Sequence, residues 1–338
     1  MTVSIIIAVK TWQKNLEECV NKCLELNYPD FEIIILPDAP VKRSFKDSRI
    51  KIIPTGEVSP PLKRDIGIEN ASGEILAFLD DDAYPVKDWL LYASESFSDP
   101  AIAAVGGPGV TPFEDSITQK ASGLIYSSFL MSGTYGYRYI PFKRTIEVDD
   151  FPSCNLLVRK SVVKEAGGFK SNYWPGEDTV LCLGITKHLH KKIMYDPRVV
   201  VYHHRRSFLI PHLKQLANYA LHRGYFVKKF PETSFRPAYF VPSVFLLSII
   251  IGGGVSVLFP PFRLIYYVGL FLYAAITAAF SLAGVLKDKY SGRNHALSFR
   301  VAGKIVLCVL VFSGIILSHL TYGLFFLIGL MKTRLQDG

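Results

Sequence analysis

Short apolar runs recur through the first two hundred residues, each closed by a polar turn and followed by a segment with helical spacing. VSIIIAV precedes an amphipathic segment over residues 16–26. FEIIILPD then precedes PPLKRDIGIENAS, EILAFLDDD precedes KDWLLYASESF, and AIAAVGGPG closes the series. Short apolar runs bounded by turn residues read as buried strands, and their alternation with helices predicts an α/β domain with a mostly parallel sheet covered on both faces. Ligands of such sheets gather at the carboxyl ends of the strands. The acids that end the second and third runs, Asp38 and the triplet 80–82, are therefore predicted to share one rim.

The pattern changes after residue 206. LIPHLKQLANYALHRGYFVKKF spaces apolar residues helically beside Lys214, Lys228 and Lys229, which predicts an amphipathic helix on the membrane face, with a partner-protein helix as the rival reading. Three apolar stretches follow, at about 237–259, 262–284 and 304–330. Each reaches the roughly 20 residues that a bilayer-spanning helix needs. Three such stretches with charge only at their ends point to a membrane rather than to buried core helices. The chain thus divides into 1–206, a catalytic-type α/β domain; 207–236, an interface segment; and 237–331, a transmembrane region.

Basic residues give these spans a direction. Lys214, Arg223, Lys228, Lys229 and Arg236 precede the first, and Lys287, Lys289, Arg293, Arg300 and Lys304 separate the second from the third. Both groups are expected on the cytoplasmic side. The start, MTVSIIIAVK, is too short and turns polar too soon for a signal peptide, so the α/β domain is expected in the cytoplasm and the protein in the cell membrane, multi-pass. Three crossings would leave Lys332 and Arg334 outside, against the rule; either the rule is weak for a short tail, or the third stretch breaks near residues 319–323 and turns back as a hairpin.

Among 338 residues the formal net charge is +9, and mean hydropathy is +0.24. The positive excess belongs largely to the membrane-flanking set and is not read as a nucleic-acid footprint. Cys19, Cys23, Cys154, Cys182 and Cys308 show neither a CxxC pair nor the His spacing of a zinc site.

Asp80, Asp81 and Asp82 crowd like charge where a buried strand meets a loop. An isolated acidic turn or helix cap is the plain reading. At a functional sheet edge, however, such carboxylates hold an oxygen-ligated Mn2+ or Mg2+ whose shell substrate phosphates complete. Asp82 is assigned as a metal ligand and Asp80 as a nucleotide ribose contact or second metal ligand. In WPGEDTVLC, Glu177 and Asp178 either charge the first turn of a helix or supply a carboxylate base.

Taken together and in order, SIIIAVK, EIIILPDAP, KRDIGI, ASGEILAFLDDDAYP, VGGPGV, CNLLVRKSVVKEAGGF, WPGEDTVLC and YDPRVVVYHHRR resemble the membrane-anchored family 2 glycosyltransferases, over most of the chain. The resemblance implies a GT-A nucleotide-sugar-binding domain with a Rossmann-like sheet. Asp38 then meets the nucleotide base, Arg64 is a nucleotide contact, Asp80 and Asp82 form the DxD motif, Asp178 is the general base, and Glu177 orients the acceptor or its neighbour. Trp174 is either a core aromatic or an apolar face for a sugar ring. His204 becomes a metal or phosphate contact, and Arg205 and Arg206 become phosphate partners. Thr11, Pro37 and Asp65 depart from the family's usual Asn, Asp and Asn. The implied reaction is an inverting, metal-dependent transfer from a nucleotide-diphosphate sugar to a lipid-linked glycan or polyprenyl phosphate. The Gln-x-x-Arg-Trp motif of processive synthases is replaced by Gln215, Asn218 and Tyr219, so one sugar per encounter is expected. A nucleotidyl- or phosphotransferase with a similar acidic site, or a non-catalytic membrane scaffold, are the alternatives.

Overall fold

A computed structural model describes residues 1–41, 45–169, 173–287 and 301–335. In chain order its elements begin with β1 (Val3–Ala8), α1 (Lys14–Leu24), β2 (Phe31–Leu36), β3 (Ile50–Ile52), α2 (Pro60–Asn70), β4 (Ile75–Leu79), β5 (Ala83–Pro85) and α3 (Trp89–Ser96). There follow β6 (Ile102–Gly106), β7 (Gly109–Val110), α4 (Ile117–Ser127), α5 (Phe129–Ser132), β8 (Ile146–Val148), β9 (Asn155–Arg159), α6 (Lys160–Glu165) and α7 (Glu177–Leu183). The last are β10 (Lys192–Tyr195), β11 (Val201–His203), α8 (Ile210–Lys229), α9 (Pro231–Ser234), α10 (Pro237–Leu258), α11 (Pro260–Lys287) and α12 (Val301–Met331). They form two compact units, one of Met1–Val110 with Tyr137–His203, the other of Thr111–Gly136 with His204–Leu335. The sequence division at 206 does not show that residues 111–136 belong with the helices of the second unit.

The first unit holds an eight-stranded sheet, β3-β2-β1-β4-β9-β6-β10-β8. β2, β1 and β4 run parallel in the register Ile5 opposite Ile33 and Ala77. β9 runs antiparallel to both β4 and β6, and β8 antiparallel to β10. The strands are apolar without alternation because both faces are covered. Ile5 and Ile7 share a core cluster with Leu16, Cys19, Val20 and Cys23 of α1 and Trp89 and Leu90 of α3. On the other face Ile6 meets α2, where a β-carbon added at Gly67 would lie 2.6 Å from Ile6 Cγ2. Each of these aliphatic side chains contributes roughly 1.5–3 kcal/mol by leaving water.

A second sheet, β5-β11-β7, extends from the carboxyl end of β4. Asn155, fully buried, ties it to the main sheet. Its Nδ2 donates to the carbonyls of Gly107 and Val199, both at 2.8 Å, and its Oδ1 accepts from Trp89 Nε1 at 2.9 Å. Gly107 has no room for a side chain, since any β-carbon would overlap the Val199 carbonyl.

In the second unit α10, α11 and α12 have the length and hydropathy to cross a membrane. α12 runs unbroken through residues 319–323, so the third stretch does not fold into a hairpin. The expected basic residues Lys289, Arg293 and Arg300 lie outside the described residues. Small residues set the packing. Gly314 of α12 lies against Ile125 of α4, Gly323 against the Pro242 carbonyl of α10, and Gly329 against the Leu221 carbonyl of α8, while Gly224 of α8 lies against the Phe326 carbonyl. None of these contacts admits a β-carbon. His212, fully buried, joins Ser122 at 2.7 Å to Ser318 at 3.1 Å.

Candidate active site

Two acids that are two residues apart and one distant histidine converge at the end of β4. The backbone turns over residues 80–83, with Ala83 N donating to the Asp80 carbonyl at 3.1 Å. That turn brings Asp80 and Asp82 together. β5 starts at the next residue and pairs antiparallel with β11, which sets His203 opposite Ala83. His203 Nε2 therefore lies 3.1 Å from Asp82 Oδ1. Ligand atoms of Asp80, Asp82 and His203 all fall within 4.8 Å of one another. Burial opposes a charge on the His203 ring, but the Asp82 carboxylate outweighs it and raises the imidazole to about 10.

Two carboxylate oxygens and an imidazole nitrogen suit a cation such as Mn2+ or Mg2+ that would displace the imidazole's proton, and three donors leave positions for phosphate oxygens and water. The donor set thus fits the metal expected from the sequence. Its third member is His203, the last residue of β11, whereas His204 lies beyond the strand. His204 turns to Asp115 through Nδ1. Asp81 faces away from the cluster and accepts from Gln13 Nε2. Burial, then Asp82 and Asp80, push its carboxyl up to about 6.

Arg64 links the acidic rim to α7. Its Nη2 lies 3.2 Å from Asp80 Oδ1 and its Nη1 2.7 Å from Glu177 Oε1. Its guanidinium also sits 5.4 Å from the centre of the Phe169 ring. Phe169 N donates to the neighbouring Asp65 at 2.7 Å, and Gly168, at φ +77°, leaves space for that carboxylate. Asp65, unexpected in the family pattern, thus holds the loop that covers Arg64. Arg64 is engaged by carboxylates, where the sequence suggested a nucleotide contact.

Glu177 is buried at the start of α7 and accepts from Gly176 N at 3.0 Å as well as from Arg64. Gly176 holds φ +122°, a conformation that favours glycine. Asp178, the next residue, is less enclosed, with Oδ2 3.3 Å from Ser153 N and Oδ1 accepting from Thr179 N at 2.8 Å. Burial, then the charges of Glu177 and Asp150, raise its carboxyl to about 7. Asp150 was not foreseen; it is buried, 3.5 Å from Arg138 and 3.2 Å from Thr179 Oγ1. Trp174 is exposed on the segment before α7.

Asp38 follows β2 at the same sheet edge. The buried Lys63 of α2 binds its Oδ1 and also donates to the Val9 carbonyl. The second unit contains Arg205, which donates through N to Asp115 Oδ2 at 3.3 Å and through Nε to Thr111 Oγ1 at 3.4 Å, and Arg206, which is exposed.

A mostly parallel α/β sheet with an acidic, histidine-bearing rim at its strand ends defines a GT-A-like fold. The mannosyltransferase PcManGT from Pyrobaculum calidifontis, solved with GDP-Man and Mn2+, shares the fold with a TM-score of 0.52 over 98% of this chain and 88% of that one, at 16% identity. Residues 4–167, just under half of the chain, match glycosyl transferase family 2. Over 150 residues the chain is 28% identical to the pre-mycofactocin glycosyltransferase of Mycobacterium tuberculosis, covering 44% of this chain and 31% of that protein. It thus spans about a third of the length of that relative. Over 221 residues it is 21% identical to the glucosyl-dolichyl phosphate glucuronosyltransferase of Haloferax volcanii, covering 60% and 69%.

Proposed function

We propose that the protein moves one sugar per encounter from a nucleotide-diphosphate sugar to a membrane-associated acceptor, a lipid-linked glycan or polyprenyl phosphate, with inversion at the anomeric carbon. The observation that carries this reading is the connection of Asp80, Asp82 and His203 through Arg64 to the Glu177–Asp178 pair. Asp80, Asp82 and His203 would hold Mn2+ or Mg2+, which as a Lewis acid offsets charge on a departing nucleoside diphosphate. Asp38, steadied by Lys63, meets the base. Arg205 and Arg206 follow His203 in the chain and supply forked donors to phosphate.

Asp178 begins to take the acceptor hydroxyl's proton as that oxygen attacks the anomeric carbon. A carboxyl raised to about 7 is well matched to base catalysis near neutrality. Glu177, buried on Arg64, fixes the start of α7 and so the position of Asp178. The apolar helices support a membrane-borne acceptor, as does the likeness to an enzyme acting on a dolichyl phosphate. The same reading places the enzyme in the cell membrane with its catalytic domain in the cytoplasm.

The test offers membranes containing the full chain a panel of nucleotide sugars with lipid-extract acceptors, in Mn2+ or Mg2+ and in EDTA. Sugar transfer is expected only with the cation, and Asp82→Ala or His203→Ala should abolish it and weaken donor binding. Full transfer in EDTA contradicts the metal's role. Transfer of nucleotide or phosphate without sugar would make the protein a nucleotidyl- or phosphotransferase.

A further inference from the structure

α12 is long enough to cross a bilayer, about 46 Å over its 31 residues, but much of its length packs on α4 and α8, which are not membrane-spanning elements. Its first half packs Leu307, Val311 and Ile315 on Ala121 and Ile125 of α4. α4 is an 11-residue helix with a Ser116–Gln119 capping box. Its second half runs alongside α8, and the contacts advance together: His212 with Ser318, Leu221 with Gly329, and Lys228 Nζ with the Lys332 carbonyl at 2.7 Å. The two helices are therefore parallel over this length and share one depth. α8 carries Lys214, His222, Arg223, Lys228 and Lys229. Hydrocarbon excludes a helix so charged, whereas a headgroup layer receives it.

The other two apolar helices behave differently. α12 touches α10 near its start, at Phe240, Pro242 and Phe245, and α11 in its second half, at Tyr273 and Val285. Farther out, α10 and α11 are joined to each other through Tyr266 with Ile249 and Arg263 with Ser256. Around their connection the apolar side chains are bare, with Leu258 85% and Leu264 73% exposed.

We infer that α10 and α11 alone cross the bilayer, as a hairpin, and that α12 lies with α8 and α4 along the membrane face. Two crossings return the chain to the side it left. Lys332 and Arg334 then share the face of Lys214, Arg223, Lys228 and Lys229, where anionic lipid attracts basic segments. The conflict between a basic tail and the positive-inside rule disappears. The inference rests on the second unit alone and stands apart from the chemistry proposed for Asp178 and the metal cluster.

The test places single cysteines at Pro261→Cys, in the hairpin connection, and at Arg334→Cys, near the end of the full chain. Each is exposed in intact cells to a thiol reagent that does not cross membranes, with the parent chain as background. Pro261→Cys should label in sealed cells, and Arg334→Cys should stay at background until the cells are permeabilised. Labelling of both from the outside would show a third crossing and overturn the inference. Phe259→Cys and Lys332→Cys repeat the two readings should either first variant fail to accumulate.

Discussion

Arg64 carries the clearest consequence at the scale of single residues. Its positive charge holds the Asp178 carboxyl lower than burial and the neighbouring acids alone would set it. Transfer should rise with pH through about 7, as Asp178 loses its proton. Arg64→Gln removes the restraining charge, so this limb of the pH–rate profile should move to higher pH; Arg64→Lys keeps the charge and should leave the limb in place while losing one of two carboxylate contacts. An unmoved limb in Arg64→Gln would exclude Asp178 as the titrating base. Arg64→Gln also strands Glu177, buried at 5% exposure, and should cost roughly 3–5 kcal/mol of stability. Asp38, Asp80, Asp82, Glu177 and Asp178 could be picked out as candidates because each lies near the end or start of an element with a clear local pattern. His203 was not. Which of two adjacent histidines faces Asp82 is decided by the pairing of β11 with β5, more than a hundred residues apart, and no local pattern encodes that register.

Elements built from continuous apolar runs, β1, β2, β4 and β6, were readable for the same reason: a strand buried on both faces has little freedom of composition. β3, β8 and β10 have only three or four residues, and partners distant in the chain make them strands. Asn155 shows how much one polar side chain can hold at this scale. Asn155→Leu would leave the Gly107 and Val199 carbonyls and the Trp89 indole without partners, each worth about 1–3 kcal/mol when buried. A loss of roughly 3–5 kcal/mol is expected in denaturant unfolding, and a change under 1 kcal/mol would refute the role given to it. Glu32 joins β2 to its neighbours, accepting from Ser4 Oγ and Ser72 N, both at 2.6 Å, and pairing with Lys51. Burial alone would raise its carboxyl, but these partners lower it to about 2. Because the folded value lies below the unfolded one, roughly 4.3, its stabilisation is complete above that unfolded value and is lost as pH falls toward 2. Melting temperatures measured between pH 5 and pH 2.5 should fall more steeply for the parent than for Glu32→Gln.

For the whole molecule, the length and hydropathy of the three apolar helices were visible in the sequence, but their arrangement was not. Hydropathy registers what a helix is made of, whereas α12 is placed by Gly314, Gly323 and Gly329, which admit α4, α10 and α8 to close contact. The grouping of residues 111–136 with those helices was hidden likewise, since α4 looks locally like any amphipathic segment. The reading of the full chain as a glycosyltransferase with a carboxylate base is tested most directly by Asp178→Asn, with donor binding by calorimetry and sugar transfer measured on the same membrane preparation. The amide keeps the size of the acid but takes no proton. Donor affinity should hold while transfer falls by about 10²–10⁴-fold. If Asp178 merely charged the first turn of α7, the variant would turn over near the parent rate with a stability change of roughly 0.3–1 kcal/mol, and that result would contradict the mechanism.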